Sequence, residues 1–132
     1  MAGDFLDTNV LIYQFSTDPR KAERAEALLR GGGTISVQVL NEFANVARRK
    51  MALGWDEVQA LLDTVRTLLE VVPLDVETHA DGMRLCERYG FSVYDGIIVA
   101  AALRSGCETL WTEDMQHGLR IGSLALRNPF AG

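Results

Sequence analysis

Four acidic residues interrupt apolar segments that lie far apart in this 132-residue chain: Asp7, Glu42, Asp95 and Asp114. A charged side chain is seldom buried unless it is paired or binds a metal ion. Few cations are available for pairing, because the only lysines are Lys21 and Lys50 and the other basic residues are arginines. A bound divalent cation would compensate four converging carboxylates more simply. The fold is therefore expected to bring these four segments together around one site.

Short apolar segments alternate with longer segments of helical spacing along the chain. Strands are predicted at residues 3–7, 34–36, 71–74 and 108–112, and the tail at 118–130 is a candidate edge strand. Helices are predicted at residues 10–15, 19–30, 37–51, 55–70 and 76–89, and another begins after Ser92 and contains Asp95. This alternation predicts an α/β fold with a mostly parallel sheet covered on both faces. Sites in such sheets form beyond the carboxyl ends of the strands, where all four acids are expected.

Length and composition predict one domain spanning residues 1–132, with 48% hydrophobic residues to build a core. The longest apolar run, Ile97 to Leu103, is far shorter than the roughly 20 residues that span a bilayer. The N-terminal segment also lacks the basic and apolar regions of a signal peptide. We therefore expect a cytoplasmic protein that does not span a membrane, with Cys86 and Cys107 as packing residues.

Two of the four acids have an ordinary explanation as helix caps. Asp7, Thr8 and Asn9 are all residue types that satisfy free backbone donors at a helix start. Asp95 lies three residues after Ser92, where an acid completes a variant capping box and suits the helix dipole. Either residue taken alone is explained without a functional site.

The other two acids are less easily assigned from their neighbours. Glu42 shares a helix face with Val39 and Val46, which indicates that it points at least partly inward. Asp114 follows a strand exit, where acids are common turn residues, and Glu113 could take its role. The four acids together favour a shared site over four unrelated explanations.

An acidic cluster without His or Cys suits hard cations such as Mg²⁺ or Mn²⁺. Such ions generate hydroxide from bound water and stabilise the leaving oxygen of a phosphodiester, which predicts metal-assisted hydrolysis. The net charge of −5 discriminates only weakly against nucleic acid, because local basic runs can still hold a phosphate backbone. Arg48, Arg49 and Lys50 form one such run, either an RNA contact or a solvated helix end.

Several motifs resemble those of one known family. The segments 6–13, 41–42, 94–102 and 112–118 are similar, in order and spacing, to PIN-domain ribonucleases and in particular to the VapC toxins of bacterial toxin–antitoxin pairs. The resemblance implies a three-layer α/β/α sandwich and an endoribonuclease that depends on Mg²⁺ or Mn²⁺. It further implies a structured RNA substrate, a homodimer, and a cognate antitoxin that inserts a basic side chain into the acidic pocket.

The resemblance also assigns roles to individual residues. The metal ligands and catalytic residues would be Asp7, Glu42, Asp95 and Asp114. The residues that orient ligands or water would be Thr8, Asn9 and Thr112. Gly96 stands where many relatives carry a slightly larger residue such as Ala, which leaves the acidic pattern intact.

Two other functions are weighed against the nuclease. The first is a binding module for RNA or protein in which the acids hold a structural ion, and the intact carboxylates disfavour it. The second is a phosphoaspartyl enzyme or receiver domain. In that class Asn9 would occupy the place of a second acid, and both Lys21 and Lys50 come too early for the late-strand lysine.

Overall fold

The computed structural model describes residues 3–131, which contain six strands and six helices. Residues 1, 2 and 132 of the predicted domain lie outside the described residues. The strands are β1 (Asp4–Leu6), β2 (Thr34–Ser36), β3 (Glu70–Val72), β4 (Thr109–Trp111), β5 (Arg120–Ile121) and β6 (Leu124–Arg127). The helices are α1 (Thr8–Tyr13), α2 (Pro19–Arg30), α3 (Val37–Arg49), α4 (Trp55–Leu68), α5 (Val76–Tyr89) and α6 (Val93–Arg104).

The six strands form one sheet in the order β3-β2-β1-β4-β6-β5, with helices on both faces. All neighbouring strands are parallel except β5 and β6, which form an antiparallel hairpin. The strand order runs outward from β1 through β2 on one side and through β4 on the other. The sheet therefore has a topological switch point between β1 and β4, where ligand sites form at the carboxyl ends of the strands. The predicted three-layer α/β/α fold is confirmed.

The largest difference from the predicted elements is in the tail. One edge strand was predicted there, whereas β6 lies inside the sheet beside β4 and the two-residue β5 forms the edge. Gly122, with a φ of 59°, lies in the tight turn between them. Helix α1 also begins earlier than predicted, at Thr8, because Asp7 caps it directly after β1. Glu70 belongs to β3 rather than to α4, since Leu69 is already extended.

The core lies between the sheet and its helices, and α6 is its most buried helix. Seven consecutive residues of α6, from Gly96 to Ala102, are buried. A helix that is apolar all round belongs in a protein interior, so α6 packs as a central core helix. This burial fixes the first turn of α6, which carries Asp95. No helix within residues 3–131 is long and apolar enough to cross a membrane.

Candidate functional site

Asp7 lies at the junction between β1 and α1, at the switch point of the sheet. Its backbone N–H donates to the carbonyl of Trp111 in β4 at 3.0 Å. Its carboxylate accepts the Thr8 N–H at 2.6 Å and the Thr112 hydroxyl at 2.7 Å. The side chain is only 3% exposed. Asp7 is thus the expected helix cap and also a buried carboxylate at the predicted edge.

Burial raises the pKa of Asp7 from its usual 3.8 to about 7. The hydrogen bonds from Thr112 and Thr8 lower this pKa, whereas the nearby charges of Asp95 and Asp114 raise it. Desolvation is the largest cause, because a charged carboxylate loses its hydration inside the protein. Asp7 is therefore a carboxyl group whose charge is poorly compensated near neutral pH.

Asp114 is connected to Asp7 through Thr112, the residue that follows β4. The Thr112 hydroxyl donates to Asp7 and accepts the backbone N–H of Asp114 at 3.3 Å. The Asn9 side-chain amide donates to the Asp114 carboxylate at 3.0 Å. Unlike Asp7, Asp114 is exposed, so it forms the outer rim of the group. Asn9 and Thr112 therefore hold the two carboxylates in place through hydrogen bonds.

Glu42 reaches the same edge from the second turn of α3. Its two carboxylate oxygens accept the Thr8 hydroxyl at 2.7 Å and the Gln38 amide at 2.9 Å. The same Gln38 amide nitrogen donates to the carbonyl of Tyr94 in α6 at 3.0 Å. Gln38 is therefore a clamp between α3 and the start of α6, where Asp95 lies.

Sequence reasoning did not identify Gln38 as a functional residue. Its signal was available, because Gln38 precedes Glu42 by one helical turn and shares its face. A polar side chain that is only 5% exposed on this face also requires a partner. The Tyr94 carbonyl that completes the clamp could not be found from the sequence, since it depends on how α3 and α6 pack.

Asp95 lies in the first turn of α6, which begins with Ser92 as its N-cap. The Asp95 N–H donates to the Ser92 hydroxyl at 3.3 Å, so the predicted cap is present. Burial raises the pKa of the half-buried Asp95, and the charges of Asp114 and Glu42 add to this effect. The Ser92 hydroxyl lowers it. Asp95 is thus both a residue of a helix start and a member of the acidic group.

A close helix crossing places the start of α6 against α5. A Cβ atom added at Gly96 would lie 2.2 Å from the Cys86 sulfur and 2.8 Å from the Gly82 carbonyl oxygen. A Cβ atom at Gly82 would lie 2.9 Å from the Ile97 Cα. These contacts leave room for glycine only at the position beside Asp95. The position of Asp95 depends on this crossing.

The four predicted acids therefore meet at one edge of the sheet, held by uncharged donors. Salt bridges within residues 3–131 involve other acids, and no Lys or Arg pairs with Asp7, Glu42, Asp95 or Asp114. In the same part of the chain, no three His, Cys, Asp or Glu side chains are arranged as a ready metal cage. The acids are thus close enough for their charges to raise the pKa of Asp7 and of Asp95.

The remaining predicted residues lie outside this group. Glu113, which could have replaced Asp114, instead pairs with Lys21 at 3.2 Å and accepts a hydrogen bond from Tyr13. The basic run at residues 48–50 is exposed at the far end of α3, about 9 Å or more along the helix axis from Glu42. Arg48 there donates to the Leu53 carbonyl at 2.8 Å. The structure does not bring this run to the acids.

The fold and this arrangement agree with comparisons to known proteins. The family model described as PIN domain matches residues 5–118, which include all four acids. The chain therefore belongs to the PIN domain family. No curated protein sequence gives a significant match.

Solved structures resemble the chain over nearly all of its length. A toxin–antitoxin complex from Klebsiella pneumoniae has a TM-score of 0.72 at 21% identity, covering 97% of this chain and 98% of that one. A DNA-bound VapBC from Salmonella typhimurium also has a TM-score of 0.72, at 22% identity with coverages of 98% and 99%. VapC20 of Mycobacterium tuberculosis, a toxin that cleaves the sarcin-ricin loop, has 0.69 at 16% identity with coverages of 85% and 92%. These likenesses establish a shared fold.

Proposed function

We propose that this chain is a VapC-like toxin, an endoribonuclease that hydrolyses RNA phosphodiester bonds with Mg²⁺ or Mn²⁺. The observation that carries the proposal is Asp7, a buried carboxylate at the switch point whose described neighbours include acids but no ion-paired cation. Membership of the PIN domain family and likeness to toxin structures support it.

The residues present fit a hard divalent cation in chemical type. The donors are carboxylate oxygens, and the charge on Asp7 and Asp95 is disfavoured until a positive group arrives. The ion would be held by Asp7, Glu42, Asp95 and Asp114. When bound, it supplies a hydroxide-generating water and stabilises charge on the phosphate.

The surrounding residues hold the carboxylates of this site through neutral hydrogen-bond donors. The hydroxyls of Thr112 and Thr8 fix one oxygen of Asp7 and one of Glu42. Asn9 fixes Asp114, so three of the four acids are positioned by neutral donors that add no competing charge. Such donors hold the carboxylates without neutralising them, which leaves the negative charge available to a cation.

The same proposal covers the partners and the location of the protein. We infer a cytoplasmic toxin that acts on structured RNA, pairs with a second copy, and is restrained by an antitoxin. A basic antitoxin side chain would replace the missing cation beside Asp7 and compete with the metal. Inhibition that survives neutralising every antitoxin Arg and Lys near the acids would contradict this mode of restraint.

Cleavage of a total RNA pool by the purified protein tests the function. We expect site-specific products with Mg²⁺ or Mn²⁺, and their loss with EDTA and in Asp95→Asn. Asp63→Asn makes the same charge change on the exposed surface of α4 and is expected to cleave like the wild type. Full RNA cleavage by Asp95→Asn, or by the wild type in EDTA, would contradict the proposal of a metal-dependent nuclease.

A further inference from the structure

A groove runs between the start of α2 and the tail that follows β6. It encloses about 580 Å³, and its lining includes Arg20, Lys21, Arg24, Pro129 and Phe130. Arg24 closes one end, because its Nε donates to the Pro129 carbonyl at 3.1 Å and its guanidinium stacks on Trp111. We call this feature the α2–tail groove. Its helix side carries three basic and two acidic residues, and its tail side carries the Phe130 ring.

Lys21 lies against two aromatic rings, that of Phe130 in the groove lining and that of Tyr13 beside it. The Lys21 ammonium lies 4.5 Å from the centroid of the Tyr13 ring and 5.3 Å from that of Phe130. The two rings contact each other edge to face, with their centroids 4.8 Å apart. The groove therefore presents a cation next to a fixed aromatic surface, which is the combination that binds single-stranded nucleic acid.

The groove and the acidic site are neighbours through α1 and the segment after β4. Asn9 and Tyr13 are four residues apart and lie on one face of α1, about one turn from each other. Asn9 contacts Asp114, whereas Tyr13 contacts Glu113, the adjacent residue in the chain. An extended ligand that occupied the groove would thus lead directly to the acidic site.

The cations of the groove remain available to a ligand. The Lys21–Glu113 ion pair is partly exposed on both sides, and such pairs contribute little net stability. Within residues 3–131 no side chain pairs with the Arg20 guanidinium. Asp18 and Glu23 also line the groove, but Asp18 is engaged in capping α2 through the Arg20 N–H. The groove carries more cations than acids in a chain whose net charge is −5.

We propose that the α2–tail groove holds the single-stranded RNA that flanks the scissile phosphate. Arg20 and Lys21 contact its phosphates, and a base stacks on Phe130. This inference rests on the proposed nuclease function and is an alternative to the RNA contact predicted at residues 48–50. RNA is favoured over an acidic protein segment because a base has a π face for the ring as well as a phosphate for the cations.

Binding without cleavage tests this inference. The probe is a fluorescent single-stranded RNA oligonucleotide of mixed sequence, measured by anisotropy in EDTA over a range of salt concentrations. Arg20→Gln with Lys21→Gln is expected to weaken binding about tenfold and to reduce the salt slope by about 1.4, since each lost contact contributes about 0.7. Phe130→Leu is expected to weaken binding about fivefold or more through lost stacking. Lys21→Arg is expected to retain binding.

The matched control removes the same charge elsewhere. Arg48→Gln with Arg49→Gln is expected to bind within about twofold of wild type, because this run lies away from the acids. Urea unfolding of each variant separates lost contacts from lost folding. Unchanged RNA affinity and salt slope in the folded Arg20→Gln, Lys21→Gln variant would overturn the inference.

Two further outcomes separate this inference from the proposed function and from another partner. Groove-dependent RNA binding in a wild-type protein that cleaves no RNA would support the groove and reject the nuclease. Cleavage by the wild type, with RNA binding unchanged in the groove variants, would support the nuclease and reject the groove as its RNA site. Poly-glutamate binding that depends on Arg20 and Lys21, with RNA affinity unchanged, would assign the groove to an acidic protein segment and overturn the inference.

Discussion

The carboxylates at the two ends of α6 have opposite electrostatic surroundings. At the first turn, Asp95 is half buried among other acids, and burial together with their charges raises its pKa. At the last turn, Arg104 pairs with Asp81 of α5 at 3.0 Å, and Arg84 pairs with the same carboxylate. These two partners hold the pKa of Asp81 below its usual value. Two arginines therefore neutralise Asp81 beside the last turn of α6. Within residues 3–131, none pairs with Asp95 at the first turn.

Removing one acid from the site and one from beside the last turn of α6 gives the largest expected difference between the two regions. Asp7→Asn is expected to reduce RNA cleavage by more than about 100-fold, because it removes a proposed metal ligand. Asp81→Asn is expected to leave cleavage within about twofold of wild type, since its partners are surface arginines. Initial cleavage rates at equal metal concentration measure both. Equal losses of cleavage rate in the two variants would remove the distinction between the site and the last turn of α6.

The Gln38 clamp offers a sharper test, because it changes no charge. Gln38→Leu is expected to lower cleavage by about 10–100-fold, since Glu42 and the start of α6 lose their shared donor. Gln59→Leu, on the exposed face of α4, makes the same chemical change away from the site. Cleavage rates and urea unfolding are measured together. A folded Gln38→Leu protein with normal activity would show that the clamp is not needed to position the acids.

The glycine crossing tests whether packing beneath the first turn of α6 supports Asp95. Gly96→Ala is expected to destabilise the protein by about 1–3 kcal/mol, because its Cβ atom would overlap the Cys86 sulfur. Cys86→Ala in the same protein should restore part of this stability, but not all, since the Gly82 carbonyl is also close. Urea unfolding of the two single variants and the double variant measures the coupling. Strict additivity would contradict this packing.

The opposite pKa shifts of Asp7 in the site and of Asp81 beside the last turn of α6 predict opposite responses to pH. Asp7 has a pKa raised from 3.8 to about 7, so the folded protein binds more protons than the unfolded chain between these values. Stability of the metal-free protein should therefore rise by roughly 1 kcal/mol from pH 8 to pH 6. Asp7→Asn should abolish this rise. A wild-type protein whose free energy of unfolding falls over that interval would contradict the shift.

Asp81 supplies the reverse dependence at lower pH. Because its pKa is lowered in the folded protein, its contribution is present above the unfolded pKa of about 4 and is lost on further acidification. Asp81→Asn should therefore weaken the pH dependence of stability in acid and leave the interval between pH 8 and pH 6 unchanged. The two variants together separate the pH dependence of stability that comes from the site from that which comes from the last turn of α6.

Much of the fold could be predicted because its signals are local. Asp18 before Pro19 and Ser92 before Val93 mark helix starts, and each caps its helix as expected. The short strands follow from apolar segments between helices. The tail supplies the predicted edge strand as β5, whereas the interior strand β6 was not predicted, because its place beside β4 depends on pairing between distant segments, which leaves little trace in a short strand.

The candidate site was predictable as a set of acids but not as a geometry. Apolar surroundings single out Asp7, and its burial agrees with them. The exposure of Asp114, the engagement of Glu113 by Lys21 and the clamp at Gln38 each depend on contacts between distant elements. No spacing rule along the chain contains that information. Metal binding by the quartet remains a prediction.

The interior position of β6 has a consequence for a chain that is still being synthesised. Thr112, which holds Asp7, itself donates its backbone N–H to the Arg127 carbonyl at the end of β6. Residue 127 leaves the ribosome long after residue 7, by roughly 6–24 s at ordinary translation rates of about 5–20 residues per second. Throughout that interval the Asp7 carboxylate lacks its completed anchor, so this corner of the molecule matures only after β6 has been synthesised.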